Sequence, residues 1–233
     1  MSEQIRQSSD STRRTVIDEL IAELRTVRTG QRALVAIYGV DGAGKSVLAS
    51  ELAERAESDG GRPLFNVSID GFHLPRARRH ARGRGPESFY RDSYDYPAFI
   101  RSVVEPFVAQ QPITPAVWDV GADIPVASTP VDLPDDCVLL VDGIFLHRPE
   151  LRDIWDASVW IDVPFEVSVP RGNQRYEEAC DDDQEAASNR RYVGGQRLYF
   201  AEVEPWRRST WILDNSDLAH PSLARPSRGT IDR

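Results

Sequence analysis

Apolar residues recur at helical spacing over residues 12–28, at Val16, Ile17, Leu20, Ile21, Leu24 and Val27, with charged residues between them. This pattern predicts an amphipathic helix packed on the rest of the molecule. The period then changes. Residues 33–38 form an unbroken apolar run that ends in Gly39, the signature of a strand buried on both faces of a parallel sheet. Residues 45–57 return to the helical period, with Val47, Leu48, Leu52 and Ala56 on one side. A second strand is expected at 63–70 after the Gly60-Gly61 break, and a helix at 98–110 with Phe99, Val103, Val104, Phe107 and Val108 inward. Further strands are expected at 137–141, 158–163 and 211–214. Helices are expected within 164–179, where Pro170 should shorten or displace the first turn, and at 189–203. The intervening stretch 68–96 is polar, arginine-rich and irregular, and reads as a functional loop region. Prolines and alternating apolar residues over 113–131 suggest short strands or a hairpin.

Strands that alternate with helices imply one doubly wound α/β domain: three layers, with a mostly parallel five-stranded sheet flanked by helices. A chain of 233 residues suits one such domain. The expected division is an N-terminal amphipathic helix over 1–29 and a core over 30–218 with a small lid near 171–191. The tail, 219–233, has Pro, Ser and Arg without an apolar period and is expected to be mobile.

Composition narrows the partners. The hydrophobic share is 40% and no apolar run approaches the roughly 20 residues needed to cross a bilayer. The polar first 14 residues lack the apolar stretch of a signal peptide, so a cytoplasmic protein is expected. A net charge of −9 argues against nucleic-acid or anionic-membrane binding. Cys137 and Cys180 have no metal-type spacing and are expected to be reduced structural thiols. Oligomeric state stays open, a homo-oligomer being compatible with all of this. One detail stands out: Lys45 is the only lysine among 28 basic residues. Arginine does not replace a compact ammonium among phosphate oxygens.

Lys45 lies in Gly39-Val-Asp-Gly-Ala-Gly-Lys-Ser46, which matches the P-loop pattern in full, between a buried strand and an amphipathic helix. Such glycines let successive backbone N–H groups turn toward phosphate oxygens at a helix N-terminus. ATP is therefore expected against Gly39, Asp41, Gly42, Ala43, Gly44, Lys45, Ser46 and Val47. Lys45 would reach the β- and γ-phosphates, and the Ser46 hydroxyl would ligate Mg²⁺. Two further strands end in Asp-Gly, at Asp70 and Asp142. In a parallel sheet both carboxylates emerge on the rim that carries the P-loop. One can take a proton from an acceptor hydroxyl and the other can hold Mg²⁺. Ser46, Asp70 and Asp142 are the expected metal set.

The segments Ile69-Asp-Gly-Phe-His73, Gly85-Pro-Glu-Ser-Phe-Tyr90, Asp92-Ser-Tyr-Asp-Tyr-Pro-Ala-Phe99, Val141-Asp-Gly-Ile144 and Arg191-Tyr-Val-Gly-Gly-Gln-Arg-Leu-Tyr199 resemble the uridine kinase family. Phosphoribulokinase and pantothenate kinase belong to the same superfamily. With Asp214-Asn215, the resemblance covers roughly residues 30 to 220. It implies transfer of the ATP γ-phosphoryl group to a primary hydroxyl, that of uridine or cytidine in the family's own reaction. It further implies Asp70 as the general base, Asp142 near Mg²⁺, and Arg171 and Arg175 as lid arginines on the transferring group. Asp95, beside Tyr94, stands where the family binds ribose hydroxyls, and His73 stands within the family's site motif. Arg191, Gln196 and Tyr199 fall on the substrate side. The lid departs from the family: Pro170 precedes Arg171, Tyr176 follows Arg175, and Asp181-Asp182-Asp183 adds negative charge.

Three readings stay open on this basis: a nucleoside kinase, a pantothenate- or sugar-type kinase of the same superfamily, and a nucleotide-binding regulatory protein. Residues 76–84 contain five arginines in nine positions, which suit an anionic substrate or a solvated loop. Trp118 is placed either in the core or at the flank of the acceptor pocket. His147 is expected to be structural.

Overall fold

The computed structural model describes residues 2–175 and 181–226. Five parallel strands form its centre: β1 (Ala33–Gly39), β2 (Leu64–Ser68), β5 (Val138–Gly143), β6 (Ala157–Asp162) and β7 (Trp211–Asp214). A short antiparallel strand, β8 (Ser222–Ala224), adds a sixth in the order β2-β5-β1-β6-β7-β8. Helices α1 (Ser2–Arg25) and α2 (Lys45–Ser58) pack on one another, and α2 packs on β2 and β5. Strands β3 (Trp118–Asp119) and β4 (Ile124–Pro125) form a small separate hairpin, and Ile113 bridges Val131, as the alternation over that stretch suggested.

The register sets the site. Pairing of β1 with β5 aligns Tyr38 with Gly143, and pairing of β2 with β5 aligns Ser68 with Asp142. The carboxyl ends of the three strands are therefore level, and the loop that leaves β1 at Gly39 emerges beside Asp142. The second strand is shorter than expected. It stops at Ser68, whose hydroxyl accepts from the Asp70 backbone N–H and starts a 3₁₀ turn over Ile69–Phe72. Asp70 thus stands on a turn, one step beyond the strand.

Short helices α3 (Arg76–Arg79) and α4 (Pro86–Asp92) break up the arginine-rich stretch. The expected helix at 98–110 is three joined pieces: α5 (Tyr96–Phe99), a π turn (Ile100–Val104) and α6 (Glu105–Val108). Pro106 has no N–H to offer four residues back, and the Ser102 carbonyl accepts instead from the Thr114 N–H at 2.8 Å. Val108, expected inward, is exposed, because the helix ends there. Helix α7 (Phe165–Asn173) runs through Pro170 without losing its first turn, and α8 (Arg190–Val203) packs on α4.

The tail corrects the expectation of mobility in part: β8 pairs with β7 from Ser222 to Ala224 despite lacking an apolar period. Residues 227–233 lie outside the described residues, as does Cys180; Cys137 is a buried free thiol. Among the described residues no helix is long and apolar enough to cross a membrane.

Aromatic packing joins the sheet to α8. Trp160 of β6 is buried, 5.3 Å from the Tyr38 ring, 5.7 Å from Phe200 and 6.2 Å from Trp206. Truncation there would leave a large void bordered by β1, α8 and the following turn. Trp160→Ala is expected to cost about 3–5 kcal/mol of stability, read as a lowered urea midpoint at unchanged slope.

Candidate active site

The P-loop backbone is curled as phosphate binding requires. Gly42 and Gly44 adopt φ of +77° and +89°, the left-handed region that glycine enters without strain. At Gly42 space is limiting as well: a Cβ would lie 2.0 Å from the Ser168 carbonyl oxygen of α7. The loop is held from several sides. The Asn215 amide donates to the Ala43 carbonyl at 2.9 Å, and the Asp41 N–H donates to the Gln196 side-chain oxygen at 2.6 Å. Lys45 Nζ folds back onto the Val40 carbonyl at 2.8 Å. Burial holds the Lys45 ammonium below its ordinary pKa, against the pull of Asp41, Asp70 and Asp142.

Beside the loop lies a cavity of about 510 Å³. Lys45, Ser46, Val47, Asp70, His73, Tyr94, Asp142, Arg175 and Arg191 all reach it, together with Gly44 and Asp41. Val47 is 68% exposed and borders the cavity instead of packing with Leu48 and Leu52 on the inner side of α2. The sequence-expected residues therefore converge at one rim, apart from those described below.

Asp142 is 2% exposed. Its Oδ2 accepts from the Ser46 hydroxyl at 2.6 Å and from the Ser68 hydroxyl at 3.3 Å. Its Oδ1 is buried and has no hydrogen-bond partner. Burial, reinforced by nearby Asp70, pushes its pKa up. An anionic oxygen left bare in such a place fits a cation, and with the Ser46 hydroxyl alongside it forms the oxygen donor set that Mg²⁺ prefers.

Asp70 sits at the cavity mouth, exposed, on the 3₁₀ turn. The Tyr94 hydroxyl donates to its Oδ1 at 2.8 Å. Burial, with the Asp70 charge next to it, raises the Tyr94 pKa far above the ordinary phenol value, so Tyr94 stays a donor. His73 Nδ1 lies 2.9 Å from the Asp70 carbonyl, and its ring is 4.5 Å from that of Tyr94. Burial lowers its pKa, so the ring is neutral at pH 7.

Five expected site residues are placed differently. Gln196 is buried and spends its side-chain oxygen on the P-loop amide of Asp41, so it shapes the loop and does not face the acceptor. Tyr199 is also buried, its hydroxyl accepting from the His147 N–H at 3.0 Å. Asp95 caps α5, accepting from the Ala98 N–H at 2.9 Å. Trp118 lies on the β3–β4 hairpin away from the cavity lining, which Val120 reaches instead. Arg171 donates to the carbonyls of Asn215 and Ser216 and so ties α7 to the loop after β7. Arg175 does face the cavity, 3.4 Å from Asp41. Of the expected lid, residues 176–180 lie outside the described residues.

The sequence reading missed Ser68, Phe89 and Ser93 as site neighbours. The register of β2 against β5 brings Ser68 to Asp142, and that register is invisible in a single sequence. Phe89 was legible only as part of the Pro-Glu-Ser-Phe-Tyr segment.

Two substitutions test this geometry. Gly42→Ala is expected to abolish binding of a fluorescent ATP analogue, because the added methyl group collides with backbone that cannot yield. Tyr94→Phe is expected to lower the maximal rate of any acceptor-dependent turnover about tenfold or more, with ATP affinity unchanged. An equal loss in ATP affinity would assign Tyr94 to nucleotide binding.

No family model and no curated protein matches this chain. Solved structures do. The chain is similar to a candidate uridine kinase from Bacillus stearothermophilus, with 22% identity over 85% of this chain and 97% of the other and a TM-score of 0.68. It is similar to a candidate fructose transport system kinase from Silicibacter sp. TM1040, with 28% identity over 79% and 94% of the two chains and a TM-score of 0.65. A third match is D-glycerate 3-kinase from Cryptococcus neoformans, at 13% identity over 86% and 88%, with a TM-score of 0.54. The sheet order and the P-loop pattern on its central strand agree with these structural neighbours, and the chain shares their α/β P-loop fold.

Proposed function

We propose that this protein is an ATP-dependent small-molecule kinase that transfers the γ-phosphoryl group to an alcohol. The observation that carries this reading is the pair of carboxylates on one rim: Asp142 beside the P-loop serine, and Asp70 one turn away with a tyrosine holding it. A nucleotide switch has no use for the second. The kinases among the structural neighbours point the same way.

In this reading the P-loop amides and Lys45 bind the ATP phosphates, and Ser46 and Asp142 hold Mg²⁺. The metal, when bound, neutralises charge on the β- and γ-phosphates. Asp70 accepts the proton of the acceptor hydroxyl as its oxygen bonds to Pγ and the bond from Pγ to the β,γ-bridging oxygen breaks. Tyr94 fixes which oxygen of Asp70 is free to do so. Arg175, facing the cavity next to Asp41, is the cation placed to follow charge onto the transferring group. In-line transfer depends chiefly on position and charge, which is what these residues supply.

The motif resemblance and the first structural neighbour favour a nucleoside such as uridine or cytidine as acceptor. The two other neighbours, a sugar kinase by name and a glycerate kinase, favour a smaller sugar or hydroxy acid. ADP release from Mg-ATP across uridine, cytidine, pantothenate, sugars and sugar phosphates distinguishes them, and ATP binding without acceptor-dependent turnover would sink the kinase reading. Asp70→Asn is expected to cut turnover about 10²–10⁴-fold while the affinity for Mg-ATP persists. Asp142→Asn is expected to raise the Mg²⁺ concentration giving half-maximal rate about 10–100-fold, a shift read by titrating Mg²⁺ at saturating ATP.

A further inference from the structure

The elements that line the cavity differ in charge. Asp41, Asp70 and Asp142 cluster where Lys45 and the P-loop meet it. The lining from α3, α4 and the first turn of α8 contains Arg79, His80, Phe89, Arg191 and Tyr192 without a carboxylate.

Most arginines nearby are already matched. Arg82 pairs with Asp92 at 3.0 Å, and Arg91 pairs with Glu87 and Glu202. Of the three arginines that line the cavity, Arg175 pairs with Asp41 and Arg79 with Asp123, and Arg191 is matched differently. Arg191 donates to the Ser88 hydroxyl at 2.7 Å, and its guanidinium lies 5.7 Å from the centre of the Phe89 ring; among the described residues no carboxylate pairs with it. Arg79 is anchored through Nε to the Leu74 carbonyl at 2.8 Å. Its Nη2 is buried and makes no hydrogen bond, but forms a longer ion pair with Asp123 at 3.5 Å. Arg191 is thus fixed by neutral contacts and Arg79 by a carbonyl and a longer ion pair, and both line the same cavity. Burial, with Arg79 and Arg84 close by, holds Arg191 below its ordinary pKa. Burial, with Arg191, Arg84 and Arg79 close by, does the same to His80. Among the described residues Arg191 is therefore a cation on the cavity wall without a paired carboxylate, with Arg79 close beside it.

We infer that the acceptor alcohol carries a carboxylate or phosphate group, seated between Arg79 and Arg191, with its hydroxyl directed to Asp70. The inference rests on the phosphotransferase reading above and deepens it. A planar guanidinium offers paired N–H donors matched to either anion. A neutral nucleoside would leave the Arg191 charge on the cavity wall without a paired anion, at a cost in affinity. The aromatic faces of Phe89 and Tyr192 beside Arg191 leave room for a short carbon chain between the anion and the reacting hydroxyl.

The test is calorimetric titration of the full chain with its P-loop filled by Mg²⁺ and a non-hydrolysable ATP analogue, so that anionic probes cannot occupy the phosphate cradle. The probes are glycerol, D-glycerate and glycerol 3-phosphate, then ribose and ribose 5-phosphate, and finally uridine. The expected result is that an anionic member of a set binds at least about tenfold tighter than its neutral counterpart. D-glycerate against glycerol 3-phosphate tells carboxylate from phosphate. Arg79→Gln and Arg191→Gln are each expected to remove about tenfold of that affinity, and Arg191→Lys to restore part of it. Equal binding of neutral and anionic probes, no binding of any anionic probe, or affinities indifferent to both arginines would overturn the inference. ADP release with the same probes reads the kinase reading separately. Anion binding that needs both arginines but never leads to transfer refutes the kinase and keeps the anion site. Uridine turnover that is insensitive to both arginines does the reverse.

Discussion

A loop that presents its backbone amides to a ligand cannot use those amides to hold itself together. Everything near the P-loop follows from that constraint. Here the missing restraint comes from outside the loop: Asn215 grips the Ala43 carbonyl, Gln196 receives the Asp41 amide, and α7 lies so close that only a hydrogen fits on the Gly42 Cα. These three supports come from the loop after β7, from α8 and from α7, so the nucleotide cradle reports on the packing of the whole carboxyl half of the sheet. Arg171 belongs to the same system, since it ties α7 to the loop that carries Asn215.

The second organising fact is the sorting of charge along one cavity. Asp41, Asp70 and Asp142 gather near the single lysine with Arg175, whereas α3 and α8 contribute Arg79 and Arg191. Each carboxylate has a different environment and hence a different chemistry. Asp142 is buried with one bare oxygen and suits a metal, whereas Asp70 is exposed and oriented by a phenol that does not ionise and suits proton transfer.

Much of this was legible in the chain. Unbroken apolar runs located β1 and the Val138–Val141 part of β5, because strands buried on both faces have no polar period to disguise them, whereas β2, with exposed Asn66, was marked by the Gly60-Gly61 break. Lys45 and the two Asp-Gly segments were expected on one rim, and they line one cavity. What failed did so for identifiable reasons. Gln196, Asp95 and Tyr199 lie in segments that resemble substrate-binding ones, yet here Gln196 Oε1, Asp95 Oδ1 and the Tyr199 hydroxyl each accept from a backbone N–H, and only the fold reveals which amides need a partner. The π turn at Ile100–Val104 arises beside Pro106, whose lost donor is replaced by Thr114 from a different segment. Strand β8 has no apolar period because it needs none; it draws its place from backbone pairing with β7.

That last strand has a consequence for association. An open sheet ends in unpaired backbone groups that invite another chain to add to it. On the β7 side, the exposed edge is now a strand of three residues, bracketed by Pro221 and Pro226, neither of which has an N–H to offer. Arg225 follows at once, folded over the Trp211 ring and paired with Glu23. Residues 222–226 thus leave this edge of the sheet little unpaired backbone to offer another strand.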